Sequence, residues 1–301
     1  MTTALPDHIA FPNPGTADFE QIINDARNDK LSLGVQEDGK HLEWDLNSLP
    51  HALVCGATGA GKSVLLTSLL TQTLYNSDLF ELYVCDPESD YSDWSEEFSG
   101  ITDHAHTNEE IFDTIAAAER QCLKRQELLA QVGVVNIGQL REKFRQEPEL
   151  EQKYGPAPRR ILLVLDEVVS LRAHSADDSM KEQADKAFSN LEKIGRVGRS
   201  LGIHIFFSSQ KIPALSPQID SQLGLRICVG PVDGRTSQRI FHSDHGTRFP
   251  GGSPKGRCWA WDSKNSFRMT QGYFLPDETS PLPWDVSTNV TGAKEIIRIG
   301  Q

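Results

Sequence analysis

No apolar run in this 301-residue chain approaches the roughly 20 residues that a membrane-crossing helix needs. The N-terminus, MTTALPDHIAFPNPGTADFE, lacks both a basic n-region and an apolar h-region, so nothing in it points to secretion. Cysteine is scarce: five residues, at 55, 85, 122, 228 and 258, are odd in number and nowhere closely paired. That excludes a disulfide framework and a cysteine-built zinc site. Thiols in apolar runs act as small hydrophobes, and a reducing cytoplasm is the expected compartment. Nothing repeats internally. Hydrophobic content of 38% and charged content of 24% exclude a fibrous or disordered chain. The length suffices for one large α/β domain, or one domain with an appendage.

An excess of basic charge is also lacking, since the formal net charge is −12. Its distribution is uneven. Residues 1–110 hold 20 acidic and 4 basic side chains, a balance of −16, and the remainder balances to +4. Between Arg235 and Gln271 stand seven basic residues (Arg235, Arg239, Arg248, Lys255, Arg257, Lys264 and Arg268) against only Asp244 and Asp262. An acidic protein with one basic face is compatible with this pattern, as is an ordinary solvated surface.

What is present is concentrated between Leu49 and Leu70. The apolar run Ala52-Leu53-Val54-Cys55 stops at Gly56-Ala57-Thr58-Gly59-Ala60-Gly61-Lys62-Ser63, and an apolar helical pattern follows from Val64. This is G-x-x-x-x-G-K-S between a strand and a helix, the context in which the motif cradles phosphates. Glycines let the loop curl so that backbone N–H groups point inward, and the helix adds its positive end. Residues Gly56 to Val64 are therefore expected to bind a nucleoside triphosphate. Lys62 is expected on the β- and γ-phosphates and the Ser63 hydroxyl on Mg²⁺.

The remaining chain reads as alternating strands and helices. A short amphipathic helix is expected near 18–29, and a hairpin over about 31–46 turning at Asp38-Gly39. Leu79–Cys85 reads as a buried strand, followed by a long helix from Asn108 to Val132 with Thr107 and Glu110 as a capping box. A charged, proline-containing connector is expected from Gly138 to Arg160. Ile161 to Leu165 forms a fully buried parallel strand ending in Asp166-Glu167. Ligands bind beyond the carboxyl ends of such strands, so Asp166 is assigned to Mg²⁺ and Glu167 to activating the attacking water. Ile203 to Ser209 is another buried strand, and Gln210 at its end is positioned to touch the γ-phosphate or the water. Leu225–Val229 adds a strand, and Cys258–Trp261 with Met269–Phe274 makes a late antiparallel hairpin.

The loop alone allows kinases, GTPases, transporters and motors. A guanine-specific Asn-Lys-x-Asp motif and a lid-like arginine cluster are both missing. The Asp166-Glu167 pair with a later strand ending in Gln210 favours a RecA-like motor. From Pro50 to Val64 the sequence resembles the phosphate loop of the FtsK/SpoIIIE family of DNA translocases, and LSLGVQEDGKHLEWDL is similar to that family's lead-in strands. The helix from Ala118 to Leu129 with Gly133-Val134-Val135-Asn136, then Leu165-Asp166-Glu167, Gly198 to His204 and Ser209-Gln210, continue the resemblance in order. It covers about residues 31–275.

The resemblance implies a RecA-like P-loop core with a mostly parallel sheet. Residues 1–30 would be an arm with a short helix, 31–275 the ATPase domain and 276–301 an extended tail. It implies an ATP- and Mg²⁺-dependent motor, assembled as a hexameric ring, moving double-stranded DNA, with an arginine from a neighbouring subunit reaching the γ-phosphate. Arg199 is favoured for that role over Arg196, Arg226 and Arg235. The expected setting is a compact member on a plasmid, phage or mobile element, with a membrane or DNA-processing partner and no membrane span of its own. Family chains often carry Lys after the Asp-Pro of the second strand, where this one has Glu88. Alternatives are a type VII secretion-like motor moving polypeptide and a non-motor NTP-binding adaptor.

Overall fold

The computed structural model describes residues 5–87, 101–167, 178–210, 215–262 and 266–274. Its strands are β1 (Lys30–Gln36), β2 (His41–Asp45), β3 (His51–Gly56), β4 (Phe80–Cys85), β5 (Ile101–Ala105), β6 (Arg160–Asp166), β7 (Ile203–Ser209), β8 (Leu223–Val229), β9 (Arg257–Asp262) and β10 (Phe267–Gln271). They form one sheet in the order β2-β1-β10-β9-β8-β3-β7-β6-β4-β5. The six strands from β8 to β5 run parallel. The other four join antiparallel. The expected N-terminal hairpin and late hairpin are thus neighbours, extending the parallel core along one edge.

Alternation of apolar side chains explains why both faces are covered. Leu53, Cys55, Leu163, Leu165, Ile205 and Phe207 face one core, while Ala52, Val54, Leu162, Val164 and Phe206 face the other. On the first side lie the helices α3 (Asn108–Val132) and α6 (Asp178–Leu201), each with a buried apolar stripe. On the second lies α2 (Lys62–Leu74), through Leu65, Leu66, Leu69 and Leu70. The expected capping box is present: Thr107 accepts from the Glu110 N–H, and the Glu110 carboxylate accepts from the Thr107 N–H at 2.9 Å. The first helix, α1 (Ala17–Arg27), buries Phe19, Ile22 and Ala26. Phe11 packs with Phe19, Ile22 and Tyr273, and its N–H donates to the Phe274 carbonyl at 2.9 Å.

The stretch read as a connector folds instead into helices α4 (Ile137–Gln146) and α5 (Glu149–Tyr154). Asn136 caps α4, and Ile137, Leu140 and Phe144 form its buried stripe. Among the described residues stand two further α-helices, α7 (Pro217–Asp220) and α8 (Gly234–Phe241). Glu88 and the tail from residue 275 lie outside the described residues. No helix among the described residues is long and apolar enough to cross a membrane.

At the amino-terminal edge of the parallel strands, buried polar groups are matched to one another. Arg160 is fully buried and donates to Asp29 and to the Asn47 amide oxygen at 2.8 Å. His51 is fully buried as well: its Nδ1 accepts from the Ile205 N–H at 3.0 Å, so its Nε2–H donates to the Gly195 carbonyl at 3.0 Å. Burial pushes the His51 imidazole down to about 4, from an ordinary 6.5. Between those pH values the unfolded chain binds a proton that the folded chain refuses, so this stabilisation is complete above pH 6.5 and is lost as pH falls towards 4. Denaturant melts at pH 7.5 and pH 5 should show His51 costing about 2 kcal/mol of stability on acidification. In His51→Gln that part of the pH dependence should vanish; an unchanged slope would contradict the assignment.

Candidate active site

Strand register assembles the site. Cys85 is level with Leu165, Asp166 with Ser208, and Cys55 with Ser209. The carboxyl ends of β4, β6, β7 and β3 therefore deliver Asp86, Asp166-Glu167, Ser208-Ser209-Gln210 and the glycine loop to one edge. This is the edge where open α/β sheets bind ligands.

The loop leaves β3 and enters α2 at Lys62, with Gly61 as the N-cap at φ 109°. Gly61 offers no capping side chain and the first turn of α2 carries no acid, so its N–H groups and positive end are left for an anion. A side chain at Gly61 is excluded twice, by its left-handed backbone and because a Cβ would stand 2.9 Å from the Gly256 nitrogen. The Gly256 N–H donates to the Ala60 carbonyl at 2.8 Å, so the turn before β9 braces the loop from behind. Sequence reasoning missed this brace; its signal is Pro254-Lys255-Gly256, a turn leading into a strand. Ala57, Thr58, Gly59 and Ser63 are exposed, and Lys62 is buried.

Around the loop the side chains converge. Lys62 Nζ lies 3.9 Å from Glu167 Oε1. Ser209 Oγ donates to Glu167 Oε2 at 3.0 Å, and the Gln210 N–H donates to Oε1. Thr58 Oγ1 donates to Gln210 Oε1 at 2.6 Å, tying the loop to the end of β7. Glu167 itself has φ 47°, a left-handed backbone uncommon for a non-glycine residue and of the kind found at functional sites. Burial is the main reason that Asp166 is pushed up to about 6; neighbouring Glu167 and Asp86 add repulsion, against a Ser208 hydrogen bond and the Lys62 charge. Ser208, Ser209 and Asp86 were not singled out from sequence as site residues, although the polar strand ends Ser208-Ser209 and Asp86-Pro87 were visible.

A divalent cation suits this donor set. The Ser63 hydroxyl and the Asp166 carboxylate are hard oxygen donors, and the crowding of Asp86, Asp166 and Glu167 is what a bound cation relieves.

Arg199 does not join this cluster. It is exposed in the last turn of α6, just before β7 begins. Seven residues of β7 at about 3.3 Å each set it about 20 Å from Gln210 along the strand. Arg196 and Arg235 are also exposed, whereas Arg226 is buried and donates to Asp220 at 3.1 Å and to the Ile240 carbonyl at 3.0 Å. The basic segment 235–271 does not present one free face. Arg257 is buried and bonded to Gln271, Arg268 pairs with Asp262 at 2.6 Å, and Arg248 pairs with Asp244 at 2.7 Å. Lys264 lies outside the described residues.

Comparison with known proteins agrees with this architecture. The chain is 25% identical over 263 residues to the DNA translocase FtsK of Staphylococcus aureus, covering 83% of this chain and 32% of the relative. To the DNA translocase FtsK of Lactococcus lactis it is 27% identical over 280 residues, covering 88% and 33%. It thus spans about a third of the length of these relatives. Among solved structures, the pCW3 conjugation coupling protein TcpA, in its monomer form with ATPγS, superposes with a TM-score of 0.76 at 19% identity, covering 100% of this chain and 76% of that one. ATPases 2 and 3 of EssC from Geobacillus thermodenitrificans give 0.69 at 17% identity, covering 99% and 53%. The two solved structures share the fold of this chain. Residues 17–214 match the model of the FtsK/SpoIIIE family, and the chain belongs to that family.

Proposed function

We propose that this chain is an ATP-driven motor that moves double-stranded DNA, working as a ring with ATP bound between neighbouring subunits. The observation that carries the reading is the Thr58–Gln210 hydrogen bond: it couples the phosphate loop to the end of a core strand, beside a carboxylate fit to activate water. In this reading the loop N–H groups and the start of α2 bind the β- and γ-phosphates, and Lys62 neutralises their charge. Ser63 and Asp166 would hold Mg²⁺, which would offset phosphate charge. Glu167, oriented by Ser209 and the Gln210 N–H, takes the proton of the attacking water. Gln210 contacts the γ-phosphate or the water, so hydrolysis alters the Thr58 contact and is felt along β7.

A heterologous ring requires that two different surfaces of the same chain meet. Arg199, exposed and far from its own phosphate loop, suits such a partner surface, and we assign it the neighbour's γ-phosphate. The motor unit in this proposal spans residues 31–275, in a cytoplasmic setting.

Duplex DNA as the moved polymer is supported by the relatives, which are DNA translocases, and by the family to which the chain belongs. A plasmid, phage or mobile-element context is supported by the likeness to a conjugation coupling protein over all of this chain. Contacts with DNA would be mainly to phosphates, hence sequence-tolerant and salt-sensitive. The test is whether long duplex DNA raises the ATP turnover of the purified protein; turnover indifferent to DNA would remove the DNA reading, and absence of any hydrolysis would favour an adaptor.

A further inference from the structure

One strand over from Asp166, the ends of β4 and β5 bring Asp86, at the border of the nucleotide site, together with two imidazoles to which the proposed hydrolysis gives no role. Asp86, His104 and His106 each offer a ligand atom, and these atoms all lie within 4.8 Å of one another. His104 Nε2 stands 3.6 Å from Asp86 Oδ2, beyond hydrogen-bonding reach. The two rings meet edge to face, with centroids 4.0 Å apart.

The second observation is the state of His104. Its side chain is only 5% exposed, yet among the described residues neither ring nitrogen has a hydrogen-bond partner. Buried polar groups are nearly always paired, and an imidazole that gives up both bonds in ordinary packing forfeits their energy for nothing. A cation between His104 and Asp86 supplies the missing partner.

We propose that Asp86, His104 and His106 form a binding site for a divalent transition ion of the zinc class. The chemistry selects this class. Two nitrogen donors disfavour Mg²⁺ and Ca²⁺, which prefer oxygen, and suit zinc and its first-row neighbours. Bonds of about 2.0–2.2 Å set tetrahedral ligand atoms about 3.3–3.5 Å apart, close to the His104–Asp86 separation already present. Three protein ligands leave a fourth position for water or a further donor. His106 directly precedes the Thr107 cap of α3, and its N–H donates to Glu110 at 3.0 Å. The ion would thus fasten β5, the edge strand of the sheet, to β4 and to the start of a 25-residue helix beside the nucleotide pocket.

The site is tested on the intact chain by Zn²⁺ titration against a chromophoric chelator, with excess Mg²⁺ and without nucleotide. One Zn²⁺ per chain is expected. His104→Ala and His106→Ala should each weaken it on the order of 10–100-fold or more, as loss of a ligand does at least as much as loss of an outer partner. His242→Ala, which removes an exposed histidine elsewhere, should leave it unchanged. Substitution with Co²⁺ should give visible ligand-field bands without intense thiolate charge transfer, because the ligand atoms that come together are those of Asp86, His104 and His106 and no cysteine is among them. Far-UV circular dichroism establishes that each variant folds; should His104→Ala not fold, the partly exposed His106, replaced as His106→Gln, carries the test. Equal affinity in wild type and both histidine variants, or a thiolate signature, would overturn the proposal.

Discussion

Glu167→Gln is expected to lower the turnover of ATP by about 10²–10⁴ while leaving ATP binding nearly unchanged. The amide is close to isosteric: its oxygen can still accept from the Gln210 N–H, and its NH₂ can donate to the Ser209 hydroxyl, which turns from donor to acceptor, so the local structure should survive. What it cannot do is accept a proton. The split between lost turnover and retained binding separates a base from a packing residue, because loss of the site's shape would raise the Kd as well. Fluorescent-nucleotide binding and steady-state hydrolysis on the same preparation supply both numbers. Turnover within about threefold of wild type would remove Glu167 from the chemistry.

The second large effect is expected from a residue that touches nothing in its own subunit's pocket. Arg199→Ala should reduce hydrolysis by about 10³–10⁵ if Arg199 reaches a neighbour's γ-phosphate, the range measured for arginine fingers elsewhere. Its own phosphate loop is intact, so ATP binding should persist. Mixing gives the sharper result. Lys62→Ala subunits retain Arg199, and Arg199→Ala subunits retain Lys62. In a random mixed ring about a quarter of the interfaces regain both groups, so two inactive proteins should recover part of the wild-type rate. Recovery requires that the site be shared. No recovery from mixing, with Arg199→Ala alone as active as wild type, would move the role to exposed Arg196 or Arg235; Arg226 is committed to Asp220 and Ile240.

Most of the fold was legible because its central strands are buried on both faces. Ile161 to Leu165 and Ile203 to Phe207 read as unbroken apolar runs for that reason, and polar residues beginning abruptly at Asp166 and Ser208 mark the edge where the site lies. Thr107 with Glu110, and Asp38-Gly39, were legible because local backbone chemistry alone fixes a cap and a tight turn. Helix α4 was hidden. Arg141, Glu142, Lys143 and Arg145 outweigh the stripe of Ile137, Leu140 and Phe144, and the prolines that follow suggest a loop.

What sequence could not supply was register. That Asp86 stands beside Asp166, and that His104 and His106 close on Asp86, depends on strands far apart in the chain aligning their ends. The brace from Gly256 to Ala60 spans nearly 200 residues for the same reason. Conversely, a count of basic residues between 235 and 271 suggested a surface, whereas pairing consumes several of them: Arg257, Arg268 and Arg248 are held by Gln271, Asp262 and Asp244. Charge composition measures what is present and not what is free.

The central claim is that ATP hydrolysis is coupled to duplex DNA, and one titration tests it most directly. ATP turnover is measured with and without long linear duplex DNA, from low to physiological salt, for wild type and Lys62→Ala. Strong stimulation is expected at low salt, with a steep fall as salt displaces phosphate contacts and no turnover in Lys62→Ala under any condition. Wild-type turnover that is present but equal with and without DNA at every salt concentration would contradict that coupling.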